Sequence, residues 1–260
     1  MKPIVRRGLG LLLIIAMGAI MLTSSRLSRG MRRDVTCQSG IRLTVRDSAE
    51  RQFVSLYDVE RWMDREYHAY VGLPLDSLDL GRIESIIGSK SAVRDCQAWI
   101  TDDGIIHVTI SQREPVVRFQ DSHNGYYADE SGFIFPLHSS CSVMVPIVDG
   151  NLPLNLPRGF KGMVEDEDGR LWLSRILAMT DLMKGSVWGN NISQIHVQPD
   201  GDLILYPATG RETILFGPPV RIAEKFSLLE KYYRNILPEK GEGYYSKVDL
   251  RYRGQIICKR

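Results

Sequence analysis

Residues 8–22, GLGLLLIIAMGAIML, run for 15 positions without a charge, between Arg6-Arg7 and Arg26. As a helix with Thr23, Ser24 and Ser25 added, they would rise about 27 Å, close to the hydrocarbon thickness of about 30 Å. The flanking arginines can snorkel to the two interfaces. A cleaved leader is the competing reading, with Thr23 and Ser25 as small residues before a cut. The run is long for a leader's apolar core and has no Ala-x-Ala site, which favours a retained anchor over residues 8–25. Only seven residues precede it, and basic residues lie on both sides, so charge counting does not orient it. A long globular remainder behind a single N-terminal segment is usually translocated. The expectation is a single-pass inner-membrane protein. Residues 1–7 form its cytoplasmic tail, and its bulk lies in the periplasm or otherwise outside the cytoplasm.

The anchor sets how the charge is read. The net charge is +2 over the 260 residues, yet seven basic residues and no acidic one lie within the first 33. The remainder is therefore acidic on balance. A nucleic-acid binder would need a basic patch on its folded part, so no nucleic-acid partner is expected. Cys37, Cys96, Cys141 and Cys258 are scattered without a C-x-x-C pair, which disfavours a metal centre. Four cysteines allow three full pairings, and free thiols remain equally open.

Beyond a basic linker at 26–40, the pattern becomes that of a folded chain. Ile41, Leu43 and Val45 alternate with Arg42, Thr44 and Arg46 as in a half-buried strand. Ser55-Leu56-Tyr57-Asp58 reads as a capping box opening a helix with Leu56, Val59, Trp62, Met63 and Tyr67 on its apolar face. Asp79 caps a second helix with Leu80, Ile83, Ile86 and Ile87 at three- and four-residue spacing, ended by Gly88. Strands at 92–101 and 105–111 flank the Asp103-Gly104 turn signal. The order β-α-α-β-β predicts a small sheet with two helices on one face, over residues 41–113.

The remainder, 114–260, reads as a second mixed, β-rich domain with helices on an antiparallel sheet. Strands are predicted at 116–120, 126–128, 133–135, 145–148, 192–197, 203–206 and 213–216, and helices at 171–183 and 220–236. A last strand is predicted at 246–257. The helix at 171–183 carries Leu171, Leu173, Ile176, Leu177, Met179 and Leu182 as its apolar residues. The whole is α+β, with one anchor helix.

Little in the sequence points to catalysis. His68, His107, His123, His138 and His196 form no H-E-x-x-H, and G-x-S-x-G is absent. Gly81 to Lys90 has the wrong glycine spacing for a phosphate loop and falls inside the second helix. The acidic run Glu165–Asp168 lacks calcium-loop spacing and reads as a solvated loop. Trp62, Trp99, Trp172 and Trp188 most simply fill cores. No enzyme activity, cofactor, metal or small-molecule substrate is expected.

Arg113-Glu114-Pro115-Val116-Val117-Arg118-Phe119, Tyr127-Ala128-Asp129-Glu130-Ser131-Gly132, Val145-Pro146-Ile147-Val148 and Val248-Asp249-Leu250-Arg251-Tyr252 with Gly254 follow one another in order. With the anchor and the β-α-α-β-β unit before them, they resemble the bacterial cell-division family FtsQ, called DivIB in other lineages. In this order Ile256 stands among aliphatics where the family has an aromatic residue. The resemblance implies a POTRA domain followed by a β domain, in a non-enzymatic, membrane-anchored divisome scaffold enriched at the septum. It implies FtsB-like and FtsL-like single-span partners, among other division proteins. A chaperone or transport-associated module bearing a POTRA domain is the alternative.

A terminal strand at a sheet edge would leave backbone groups free for a partner strand to pair with. On that reading Val248, Leu250, Arg251, Tyr252 and Gly254 form the partner-binding site. Val248, Leu250 and Tyr252 share one parity, and Asp249 and Arg251 the other, so one row should face the core.

Overall fold

The computed structural model describes residues 17, 20, 21, 36, 37, 40–46, 52–121, 124–138, 141–184 and 191–260. Of the expected anchor, Met17, Ile20 and Met21 are described and helical. The rest of 8–25, most of the linker, His123 and Trp188 lie outside the described residues. Among the described residues no helix is long and apolar enough to cross a membrane. The chain divides into two compact units, the second beginning at Arg113.

The first unit has the predicted order. Strand β1 (Ile41–Val45) is followed by helices α1 (Leu56–Glu66) and α2 (Leu80–Gly88), then β2 (Val93–Ile100) and β3 (Ile106–Gln112). The strands lie in the order β1-β3-β2, with β1 parallel and β2 antiparallel to β3. The capping box forms as read: Asp58 N–H donates to Ser55 Oγ at 3.2 Å and Ser55 N–H to Asp58 Oδ2 at 3.1 Å. Asp79 caps α2 by accepting from Arg82 N–H at 3.0 Å.

Val59, Met63, Ile83, Ile87, Ile106, Val108 and Ile110 are fully buried and form the core between helices and sheet. Gln112 closes it from β3: its Oε1 accepts from both Phe53 N–H (2.6 Å) and Val54 N–H (2.9 Å). Trp99 departs from the expectation that it fills a core. It is 43% exposed, because strand alternation turns it away from the helices, and it stacks on His107 with centroids 5.3 Å apart. Leu56, in the first turn of α1, is also exposed.

The second unit contains β4 (Pro115–Gln120), β5 (Gly125–Asp129), β6 (Ile134–Pro136), β7 (Ile147–Gly150), α3 (Glu167–Lys184), β8 (Ile192–Val197), β9 (Leu203–Pro207), β10 (Thr213–Gly217), α4 (Ile222–Lys231), α5 (Leu237–Lys240), β11 (Lys247–Asp249) and β12 (Ile257–Lys259). The strands form one sheet in the order β12-β11-β10-β9-β8-β7-β4-β5-β6.

This sheet is mixed and not antiparallel as the sequence suggested. The β4–β7, β7–β8 and β10–β11 pairs are parallel. Parallel neighbours need a crossover connection. The crossovers here are β5 and β6 between β4 and β7, the long loop with α3 between β7 and β8, and α4–α5 between β10 and β11. Trp172, Leu173, Ile176, Met179 and Met183 of α3 share one core with Phe226 and Leu229 of α4 and with the strand residues Phe119, Ile195, Leu205, Phe216 and Val248. Leu171 and Leu182 lie on the outward stripe of α3 and are about half exposed, contrary to their expected place on its apolar face.

The predicted single helix at 220–236 is three segments. It starts at Ile222, since Arg221 adopts a left-handed conformation (φ 53°), and it passes through a π-helical stretch, Tyr232–Ile236, into α5. Pro238 explains the change. Its ring lacks a donor and clashes with the carbonyl four residues back, and a widened turn accommodates it.

At the start of the unit, Arg113 Nη1 pairs with Asp129 Oδ2 at 2.7 Å, both side chains largely buried, and its guanidinium covers the Phe133 ring at 3.5 Å. The acidic run 165–168 is exposed, and Asp166 Oδ1 accepts from Gly169 N–H at 2.6 Å at the head of α3.

Candidate functional site

The strand predicted at 246–257 is two short strands joined by an exposed turn. β11 holds only Lys247, Val248 and Asp249. It lies between β10 and β12, so it is not an edge. The break follows from local chemistry. Asp249 and Arg251 chelate one another: Arg251 Nε donates to Oδ1 at 2.9 Å, Nη2 to Oδ2 at 2.7 Å, and the Arg251 backbone N–H to Oδ1 at 3.1 Å. This tight turn ends the strand. Gly254 then takes φ 68°, which glycine adopts at little cost, and the chain reverses into β12.

The five expected binding residues therefore separate into two groups. Val248 and Leu250 are fully buried, and Val248 belongs to the core shared with α4. The Leu250 N–H donates to Leu215 O at 2.9 Å, extending the pairing with β10. Neither side chain is reachable from solvent. Arg251, Tyr252 and Gly254 are exposed and lie on the turn, with Tyr252 52% accessible. The Arg251 side chain runs across Gly217, where a Cβ would come 2.8 Å from Arg251 Cγ. Its outer Nη1 faces Asp202 at 3.9 Å. The Arg251 hydrogen bonds hold the Asp249 carboxyl below its usual range.

The true edge is β12, which sequence periodicity did not separate from β11. Its residues pair antiparallel with β11: Ile257 with Asp249, Cys258 with Val248, and Lys259 with Lys247. Lys247 and Lys259 are both exposed and directly opposite, an arrangement of like charges that weakens a strand pair. Arg253 and Arg260 are exposed nearby in sequence, so the edge is basic although the folded part is acidic overall. The sheet's other edge, β6, is already occupied: Ile134 and Gly162 exchange two backbone hydrogen bonds of 2.9 Å. Among the described residues no such bridge covers the outer side of β12.

At the end of β10 lies a buried charge that no motif singles out. Lys225, in the first turn of α4, is 1% exposed. Its Nζ donates to Pro218 O at 2.8 Å and stands 4.5 Å from the Phe216 ring centroid. Burial, with Arg221 adding to it, lowers the Lys225 pKa to about 8. The unfolded chain, with a pKa of 10.5 for this group, binds more protons between those values. Stability should therefore rise with pH from about 8 to 10.5, by at most about 3 kcal/mol, and be flat on this account below 8. Urea titrations at pH 7.5 and 10 should show a smaller rise for Lys225→Met than for the wild type. An equal rise in both would mean that Lys225 is not the titrating group.

Nothing in this region has catalytic form, and among the described residues no group of His, Cys, Asp and Glu could hold a metal ion. The four cysteines are free. The arrangement can offer backbone hydrogen bonds along one edge, a basic rim and an exposed tyrosine on the adjoining turn.

No curated protein matches the chain. Residues 36–111 match the POTRA-like domain. Residues 114–259, more than half of the chain, match the FtsQ/DivIB C-terminal related family. With a POTRA-like β-α-α-β-β unit ahead of a β-rich unit that carries the family's own signature, the chain belongs to the FtsQ/DivIB family.

Proposed function

We propose that this protein is a non-enzymatic, membrane-anchored scaffold of the cell-division machinery, with both folded units outside the cytoplasm and enrichment at the septum. Its partners are FtsB-like and FtsL-like single-span proteins, and an FtsB-like segment docks by adding a strand to β12. The observation that carries this reading is the asymmetry of the sheet's two edges: β6 is bridged by Gly162, whereas β12 is open and basic.

A three-residue strand offers only a few backbone bonds, each worth about 1 kcal/mol net. Side chains must supply the rest, and an exposed tyrosine beside the edge is a favourable anchor. Among the residues expected from sequence, Tyr252 is the direct contact. Gly254 shapes the turn, Arg251 is held by Asp249, and Val248 and Leu250 support the edge from the core.

The test uses the full chain in detergent and a peptide covering the extracytoplasmic segment of the FtsB-like protein from the same cell. Tyr252→Ala should weaken binding more than tenfold with an unchanged melting temperature. Unchanged affinity would remove Tyr252 from the site. Imaging of a fluorescent fusion should show a midcell band, and a uniform envelope signal would favour the assembly-chaperone reading instead.

A further inference from the structure

We propose that the first turn of α4 is a latch that holds the β11–β12 turn in the form that presents β12. Arg221 and Glu224 would then be positioning residues for partner docking, and this rests on the docking reading above. Two hydrogen bonds cross from this helix to the turn. Arg221 Nη2 donates to Arg251 O at 3.2 Å, and Gly254 N–H donates to Glu224 Oε1 at 3.1 Å. They grip the turn at its entry and its exit. Arg221 Nη1 lies 3.6 Å from Glu224 Oε1, so the two anchors also brace one another.

The turn needs such a grip. Residues 251–255 are all exposed, so apolar burial does little to order them. Within the turn itself Gln255 N–H donates to Tyr252 O at 3.3 Å. β12 is three residues long, pairs on one side, and carries the Lys247–Lys259 repulsion. Without outside support it should fray.

Arg221 provides a second, independent observation. It is a non-glycine residue with φ 53° and ψ 37°, at an N-cap position where its side chain makes no capping bond. A left-handed conformation costs a non-glycine residue roughly 1–2 kcal/mol. Such strain persists where the surroundings impose it. Here it accompanies a guanidinium that reaches across to the Arg251 carbonyl. Lys225, one residue beyond Glu224, pins the same helical turn to Pro218 and Phe216 from below. Latching the turn in advance reduces the ordering cost that an incoming strand must meet.

Two variants separate this role from general stability. Arg221→Gly removes the guanidinium and relieves the left-handed strain, so melting should be unchanged or slightly raised. Glu224→Ala removes the acceptor, and Glu224→Gln keeps an oxygen in its place. In the full chain without partner, Arg221→Gly and Glu224→Ala should speed amide hydrogen exchange at residues 257–259 at least fivefold. Amides in β8 and β9 should be unaffected, and Glu224→Gln should restore protection. Partner-peptide affinity should fall three- to tenfold in the first two variants, and Glu224→Gln should recover it. Unchanged exchange at 257–259 in both variants would overturn the latch. Wild-type protein that fails to bind the peptide would overturn the docking reading, and with it the latch's part in docking, whatever the exchange shows.

Discussion

Ile83→Asp should leave the first unit unfolded while the second stays native. Ile83 lies on α2 and is fully buried, in a core with Val59, Met63, Ile87 and the β3 residues Ile106, Val108 and Ile110. Removing its side chain alone would cost about 2–5 kcal/mol through lost burial and a residual cavity. A carboxylate in its place adds several kcal/mol for an uncompensated charge. The sum reaches the whole stability expected of a small domain, about 5–15 kcal/mol. Limited proteolysis of the full chain should then release a resistant fragment beginning near Arg113, where the second unit starts. Recovery of both units as protease-resistant bodies would refute the placement of α2.

Gly150→Ala should have the next largest effect, in the second unit. Gly150 has φ 89° at the end of β7, where its parallel partner across the pair is Val197 of β8. A Cβ there would stand 2.3 Å from the Val197 carbonyl oxygen and 2.8 Å from His196 Cε1. The first of these atoms is backbone, held by a hydrogen bond from Asn151 N–H at 2.8 Å, and cannot rotate away. The substitution combines a left-handed penalty of about 1 kcal/mol with a separation of β7 from β8. A loss of about 3 kcal/mol or more should follow, lowering the melting temperature of a unit this size by roughly 10 °C. A shift of a degree or less would show that β7 and β8 do not meet as described.

Local codes in the first unit were legible because each was complete within a few residues. Ser55 and Asp58 cap one another whatever surrounds them. Asp79 and the Ile83, Ile86, Ile87 spacing define α2 without reference to the sheet. Strand alternation correctly located β1 and β3. It says nothing of how the exposed row is used, and Trp99, expected in a core, stacks on His107 at the surface.

The second unit shows where such reading stops. Apolar runs locate its strands but leave their pairing open. Whether neighbours are parallel depends on which strands a crossover connects, and that choice belongs to the whole sheet. The strand expected at 246–257 is divided for a related reason. Val248, Leu250 and Tyr252 share a parity in the sequence, so they read as one face of one strand. The Asp249–Arg251 chelate and the left-handed Gly254 break that strand before Tyr252.

The family signature, the two-unit order, the capped helices and a terminal segment with strand character are legible along the chain alone. Those features rest on contacts between residues close in the chain. Only the assembled sheet makes β12 the open edge, covers the opposite one with Gly162 and buries Lys225 against Pro218 and Phe216. It also brought Arg221 and Glu224 against a turn 30 residues further along. Edges, burial and long-range grips are properties of the assembled sheet, where each strand's neighbours are fixed only once the crossovers have packed against it.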